Sequence, residues 1–229
     1  MKHFFTATIG AAALVLGVAG TAPAATTYGF IPEGAPNSND GLETIYGAGT
    51  TQRGGWYGAN IWLTGGSADI EVSYHGSEAG FNNIFAWAGS DQFSTGGNTN
   101  AFSAAGFASV VFNNVSAGLL NFLFRSPLGD ADNSVIGGNP NPTLGDRGPN
   151  YFVSFKNEAA SFGTELIMWF DDDGGGRDDN HDDMAIRLRI VGGDGRLTTV
   201  VPVPAALPLL LTGLVGFGLL RARRRRDEA

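Results

Sequence analysis

The chain has 229 residues, a formal net charge of −8 and no cysteine. Without thiols, disulfides, cysteine catalysis and thiolate zinc sites are excluded. Residues 25–205 hold 8 basic and 20 acidic side chains, a net charge of −12 with no basic patch able to follow a phosphate backbone, so nucleic acid is disfavoured as a partner.

Met1-Lys2-His3 is a short basic start, Phe4 to Val18 is apolar and alanine-rich, and Ala22-Pro23-Ala24 is a small-residue cleavage site. Residues 1–24 are therefore expected to be a secretory signal peptide, with cleavage after Ala24 or, as the close alternative, Ala25. Residues 25–197 follow as an ectodomain long enough for one domain with a proper core.

Through the ectodomain, glycine pairs such as Gly54-Gly55, Gly65-Gly66, Gly96-Gly97 and Gly137-Gly138 punctuate short runs of β-branched and aromatic residues. Strands are expected near Asn60–Leu63, Asp69–His75, Ile84–Ala88, Ala108–Phe112, Leu119–Arg125, Tyr151–Lys156, Thr164–Phe170 and Met184–Val191. Ile70-Glu71-Val72-Ser73-Tyr74 and Met184-Ala185-Ile186-Arg187-Leu188-Arg189-Ile190 alternate with period two, as half-buried strands do. Leu119 to Phe124 is apolar on both faces and reads as a central strand. No long helical period appears outside the two targeting segments. The fold class expected is all-β, a jelly-roll-like β-sandwich. Ser126 to Asn150 lacks an apolar pattern and reads as a long surface loop.

Three features of this region bear on function. The turn Gly76 to Asn83 carries Glu78, Asn82 and Asn83, which a plain turn explains best; approach to an acidic loop downstream or to sugar hydroxyls is the alternative. Trp56, Tyr57, Trp62, Trp87 and Trp169 belong to the core in the simpler reading and to a glycan groove in the other. His75 and His181 are the histidines of the ectodomain, no Gly-x-Ser-x-Gly elbow is present, and Glu71 with Glu78 is a carboxylate pair of a kind common on sandwich surfaces. No enzyme is expected.

The chemistry concentrates in residues 171–183, which pack seven aspartates around three glycines. Such crowding raises carboxyl pKa values or costs folding free energy unless a cation compensates. Oxygen ligands on a flexible glycine run suit Ca2+. The candidate ligands are Asp171, Asp173, Asp178, Asn180, Asp182 and Asp183. An EF-hand is excluded: Gly175 stands at its fifth position, Asp182 rather than glutamate at its twelfth, and strands flank the loop. Two metal-free readings stand beside calcium, a solvated acidic turn and a turn fixed by Asp182 or Asp183 accepting backbone N–H bonds.

The last segment has three parts, expected to form a tail over 198–229. Val201, Pro202, Val203, Pro204 and Ala205 form a proline motif; residues 206–220 are uncharged; Arg221, Arg223, Arg224, Arg225 and Arg226 follow. The uncharged run, counted from Val201, spans roughly 30 Å as helix, about one bilayer core, although Pro202, Pro204 and Pro208 weaken its start. The arginines would hold their end in the cytoplasm and leave the ectodomain outside.

Val201 to Pro208 resembles the VPLPA-CTERM sorting signal, a relative of PEP-CTERM, with Val203 in place of the usual leucine. The resemblance implies export across the inner membrane of a Gram-negative bacterium, transient anchoring there, and processing by an exosortase that cuts near the proline motif. Residues 170–184 resemble the acidic glycine-rich loop of exported bacterial β-domains with such tails. Phe170, Asp171, Asp172 and Gly174 to Gly176 match its first part, and Asp178, Asn180, Asp182, Asp183 and Met184 its second. Asn180 replaces an aspartate and His181 an aromatic residue. The function expected is a structural or adhesive role at the cell surface or in the extracellular matrix, calcium-stabilised, with extracellular polysaccharide as a possible partner; the alternative is a calcium-dependent carbohydrate-binding module.

Overall fold

The computed structural model describes residues 26–32, 41–97, 99–140, 148–174 and 181–199. The expected signal peptide, proline motif, uncharged span and arginine cluster lie outside the described residues, as do Asp178 and Asn180. In chain order the first half contains β1 (Thr27–Pro32), the short helix α1 (Gly41–Tyr46), β2 (Gln52–Tyr57), β3 (Trp62–Thr64), β4 (Ala68–Ala79), β5 (Ile84–Trp87), β6 (Ser90–Ser94), β7 (Thr99–Phe102) and β8 (Ala108–Val115). The second half contains β9 (Gly118–Leu119), β10 (Phe122–Ser126), β11 (Gly129–Asp132), β12 (Asn150–Phe155), β13 (Phe162–Gly163), β14 (Glu165–Asp171), β15 (Met184–Gly193) and β16 (Arg196–Thr198). Among the described residues no helix is long and apolar enough to cross a membrane.

Among the described residues all pairings are antiparallel and build three sheets. The largest runs β1-β2-β12-β14-β15-β4-β7, with β8 pairing the first half of β4 and β7 its second half. The other two run β11-β10-β5-β6 and β13-β16-β3-β9. The period-two alternation of the long strands decides the layering. Val72, Val153, Met168, Phe170, Ile186 and Leu188 share the inner face of the large sheet and pack with Phe85, Phe122 and Phe124 of the second sheet and Leu63 and Leu197 of the third. Phe124 stacks on Phe170 at 4.8 Å. Each such aromatic contributes about 1.5–3 kcal/mol through burial. The molecule is thus a two-layer β-sandwich, the two small sheets together covering one face of the large one.

The opposite face of the large sheet carries Ile31, Phe152, Ile167, Trp169 and Ala185, covered by Leu42 of α1 with Ile45, Tyr46 and Phe102 around it. Gly55 shows why a glycine pair can lie inside a strand: a Cβ there would overlap the backbone oxygen of Val153 on the neighbouring strand.

Each expected strand overlaps an observed one, with three corrections. Ser126 to Asn150 is not one long surface loop. It contains β11, and both Asn133 and Asn139 are fully buried. Asn133 accepts from Ile61 N at 2.7 Å and from the Tyr151 hydroxyl at 2.7 Å, and donates to Ile61 O and Leu120 O. Asn139 pairs with both backbone groups of Tyr151. Asparagine carries a donor and an acceptor like a peptide unit, so it closes sheet edges without an apolar pattern. Secondly, Leu119 to Phe124 is not a single strand: Leu119 pairs with Trp62 in the third sheet, and Phe122 with Trp87 in the second. Thirdly, packed structure continues past Leu197, for β16 ends at Thr198 and Thr199 is buried, its N–H bonded to Ser161 O.

A candidate cation site between two chain segments

The acidic segment occupies the connection between β14 and β15. Asp171 closes β14 opposite Asn150 and is 1% exposed. Its Oδ1 accepts from the backbone N–H of Asp173 at 3.0 Å and of Gly174 at 2.7 Å, turning the chain at once. Gly174 then adopts φ +51°, and a Cβ there would overlap Gly148 O. Gly148 N–H also donates to Asp173 O, so this turn is held against the start of β12.

The turn Gly76 to Asn83 meets it. Its first residues belong to β4, and Glu78 N–H donates to Asp182 O at 2.7 Å. Asn83, fully buried, donates from Nδ2 to Asp172 Oδ2 at 2.7 Å. Its backbone is fixed by reciprocal bonding with Thr95, whose N–H reaches Asn83 O and whose hydroxyl accepts from Asn83 N–H. Asp172 N–H in turn donates to Asp183 Oδ2 at 2.8 Å. Asp171, Asp172 and Asp182 are buried and Asp183 half-buried, in contact with a segment about 90 residues earlier in the chain.

Burial dominates the electrostatics. It pushes Asp183 up to about 8, with Asp172, Asp171 and Asp182 adding like-charge repulsion. Burial also raises Asp172, while the Asn83 amide opposes that shift. Among the described residues, two buried oxygens of the meeting segment, Asn83 Oδ1 and Glu78 Oε2, have no hydrogen-bond donor. The Asn83 amide cannot simply be turned over, because its nitrogen is the group that donates to Asp172.

Of the expected ligands, the structure brings Asp171, Asp182 and Asp183 into this cluster. Asp173 is half-buried beside it, with its backbone engaged in the turn. Asp172, Glu78 and Asn83 were not among the expected ligands; only the possible approach of the Gly76 to Asn83 turn pointed to the latter two. Among the described residues no three acidic or histidine side chains already form a metal-holding group. His181 is fully buried at φ +59°, its Nε2 2.8 Å from Asn150 Oδ1 and its ring edge-on to Tyr57 and Phe152. Its ring packs among these aromatics, with Nδ1 3.9 Å from Asp171 Oδ2.

The other candidates separate. Trp87 is 6% exposed and stacks on Phe112 and Phe122; Trp169 is 1% exposed; Trp56 packs on the core and donates to Ala160 O. Trp87, being buried, is not available to an open groove shared with Trp56 and Trp62, which are half-buried. His75 sits at a β-bulge between the Tyr74–Ile186 and Gly76–Ala185 pairs, fully buried, bonded to Ser73 Oγ at 3.0 Å and Ser103 O at 2.8 Å. Glu71 is engaged by Arg189 at 2.6 Å and does not pair with Glu78.

No protein-family model and no curated protein matches the chain. Among solved structures, the Chromobacterium violaceum lectin CV2L, solved in complex with alpha-methyl-fucoside, is similar at 12% identity and a TM-score of 0.32, over 59% of this chain and 98% of that one. At those values the likeness decides neither topology nor ligand.

Proposed function

We propose that this chain is an exported surface or matrix protein, released from a transient inner-membrane anchor by an exosortase, with a structural or adhesive role. Its sandwich, of jelly-roll-like kind, is stabilised by calcium bound between the β14–β15 connection and the Gly76 to Asn83 turn. Asp171, Asp172, Asp182 and Asp183 would hold the ion with Glu78 and Asn83, and Asp173, Asp178 and Asn180 would complete it from the same loop. Calcium takes six to eight oxygens and neutralises clustered carboxylates, which is the chemistry this donor set offers.

The observation that carries the reading is the pair of buried donorless oxygens, Asn83 Oδ1 and Glu78 Oε2, on the segment bonded to the buried aspartates. Leaving such oxygens unmet costs about 1–3 kcal/mol each. The sorting half of the proposal rests on the order of proline motif, uncharged span and arginines.

The test is thermal unfolding of the metal-stripped full chain in detergent, with and without calcium. At a calcium concentration a hundredfold above its dissociation constant, stability rises by about 2.7 kcal/mol, or roughly 5–10 °C in Tm. An unchanged Tm up to millimolar calcium refutes the cation site and leaves the sorting proposal standing.

A further inference from the structure

Among the described residues, positive charge is scarce and half of it meets in one place. Of the six described basic residues, Arg53, Lys156 and Arg187 all line a single cavity of about 250 Å3 on the outer face of the large sheet, beside α1. Glu165 is the one carboxylate among its lining residues. In a domain of net charge −12, three cations around one cavity are not what a solubilising surface requires.

The three cations differ in what they are already doing. Arg53 is 8% exposed and committed: it donates to Ser154 Oγ, Glu158 Oε1, Phe155 O and Lys156 O, and its guanidinium lies 3.8 Å from the centre of the Tyr46 ring. It is a rigid part of the wall. Arg187 is half-buried, and its Nε is buried with no acceptor among the described residues. Lys156 is exposed and has no ion pair among the described residues. A buried guanidinium N–H without an acceptor is costly, and an oxyanion supplies what it lacks. Arg187 also borders a second cavity lined by Glu71, Ser73 and Ser109, whereas Lys156 borders only the first of the two.

We propose that this cavity binds the carboxylate of an acidic sugar, a hexuronate unit of an extracellular polysaccharide, through Arg187 and Lys156. The volume is several times the roughly 30 Å3 share of a water molecule and falls just under the range of about 300–1,000 Å3 typical of pockets for drug-sized ligands, which leaves room for one sugar unit. Ile45 and Ala104 give an apolar wall, which suits a ring with one C–H face and polar edges. The carboxylate follows from the cavity; choosing a sugar to carry it rests on the matrix role proposed above. The site is separate from the cation cluster, since Arg187 lies four residues along β15 from Asp183, roughly 13 Å.

The experiment is calorimetric titration of the full chain in detergent with sodium glucuronate, glucose and sodium sulfate, each with and without a calcium chelator. Glucuronate binds saturably with a dissociation constant on the order of 1 mM, glucose gives no saturable signal, and sulfate binds at least about tenfold more weakly. Lys156→Gln and Arg187→Gln each weaken glucuronate about tenfold. Lys156 is exposed, so its replacement tests the idea even where the Arg187 variant folds poorly. Equal binding of glucose or of sulfate, or an unchanged Lys156→Gln titration, overturns the assignment. Loss of glucuronate binding on chelation overturns it too, by moving the ligand to the aspartates, whereas persistence in a protein that ignores calcium leaves this site intact and removes only the other.

Discussion

Asn83 is where the two candidate segments are joined. Thr95 fixes its backbone, and that anchoring aims its amide at Asp172. Asn83→Ala leaves a buried carboxylate oxygen without its donor, and a loss of about 1.5–3 kcal/mol is expected in chemical denaturation. Asn83→Asp places a like charge there and destabilises the metal-free protein further, but calcium restores more of the loss than it does for the alanine variant; equal calcium responses from both would count against ligation at this position. His75 shows the other side of burial. Its imidazole is held below the ordinary 6.5, chiefly by desolvation and secondarily by Arg187. The unfolded chain therefore takes up a proton near 6.5 that the fold refuses, so this part of the stability is present above 6.5 and is lost as pH falls from there toward the lower folded value. Asp183 acts oppositely: the fold keeps its proton up to about 8, so its share declines as pH climbs from 3.8 to about 8. Denaturation midpoints measured in metal-free buffer across that range should show His75→Asn less sensitive to acid than the parent chain.

Elements here owe their form to partners more than to propensity. β2 contains Gly54-Gly55, a weak strand sequence, yet it pairs with β1 along its whole length, and on its other side Gly55 lets it lie close to Val153 of β12. The segment after β11 is held by Asn133 and Asn139 instead of by an apolar face. Asn133→Ala strips acceptors and donors from Ile61, Leu120 and Tyr151 together, and a destabilisation of about 3 kcal/mol or more is expected, with faster proteolysis between residues 134 and 140 as a local readout. Phe124→Ala, by contrast, empties space between the second sheet and Phe170, and should cost about 3–5 kcal/mol without selective loosening of that loop. The long strands β4, β14 and β15 were legible because two buried faces or a strict alternation marked them. The polar strands β6, β7 and β11 were not, because their hydrogen-bonding neighbours, distant in sequence for β7, make them strands.

On the scale of the whole molecule, the proposed sorting tail and the folded sandwich separate along the chain. The described sandwich ends by Thr199, before the proline motif begins. Deleting residues 200–229 should leave the circular dichroism spectrum and unfolding midpoint of the ectodomain within error of the parent. If the proposed sorting holds, replacing Arg223, Arg224, Arg225 and Arg226 with alanine should shift the precursor out of the inner-membrane fraction, since in that proposal these side chains set the cytoplasmic end. Unaltered fractionation would remove the arginines from the sorting argument.

Local order along the chain was enough to mark the all-β class and the acidic connection between two strands, because each is a pattern of neighbours: period-two alternation and clustered carboxylates. It could place neither Asn83 and Glu78 against the aspartates nor Arg53, Lys156 and Arg187 around one cavity. Those juxtapositions depend on strand order in the large sheet and on the β-bulge at His75, and both are settled by pairing between distant residues. Charge density could be read in one dimension; which charges lose water together, and which of them remain without a partner, was decided only when the sheets closed on each other.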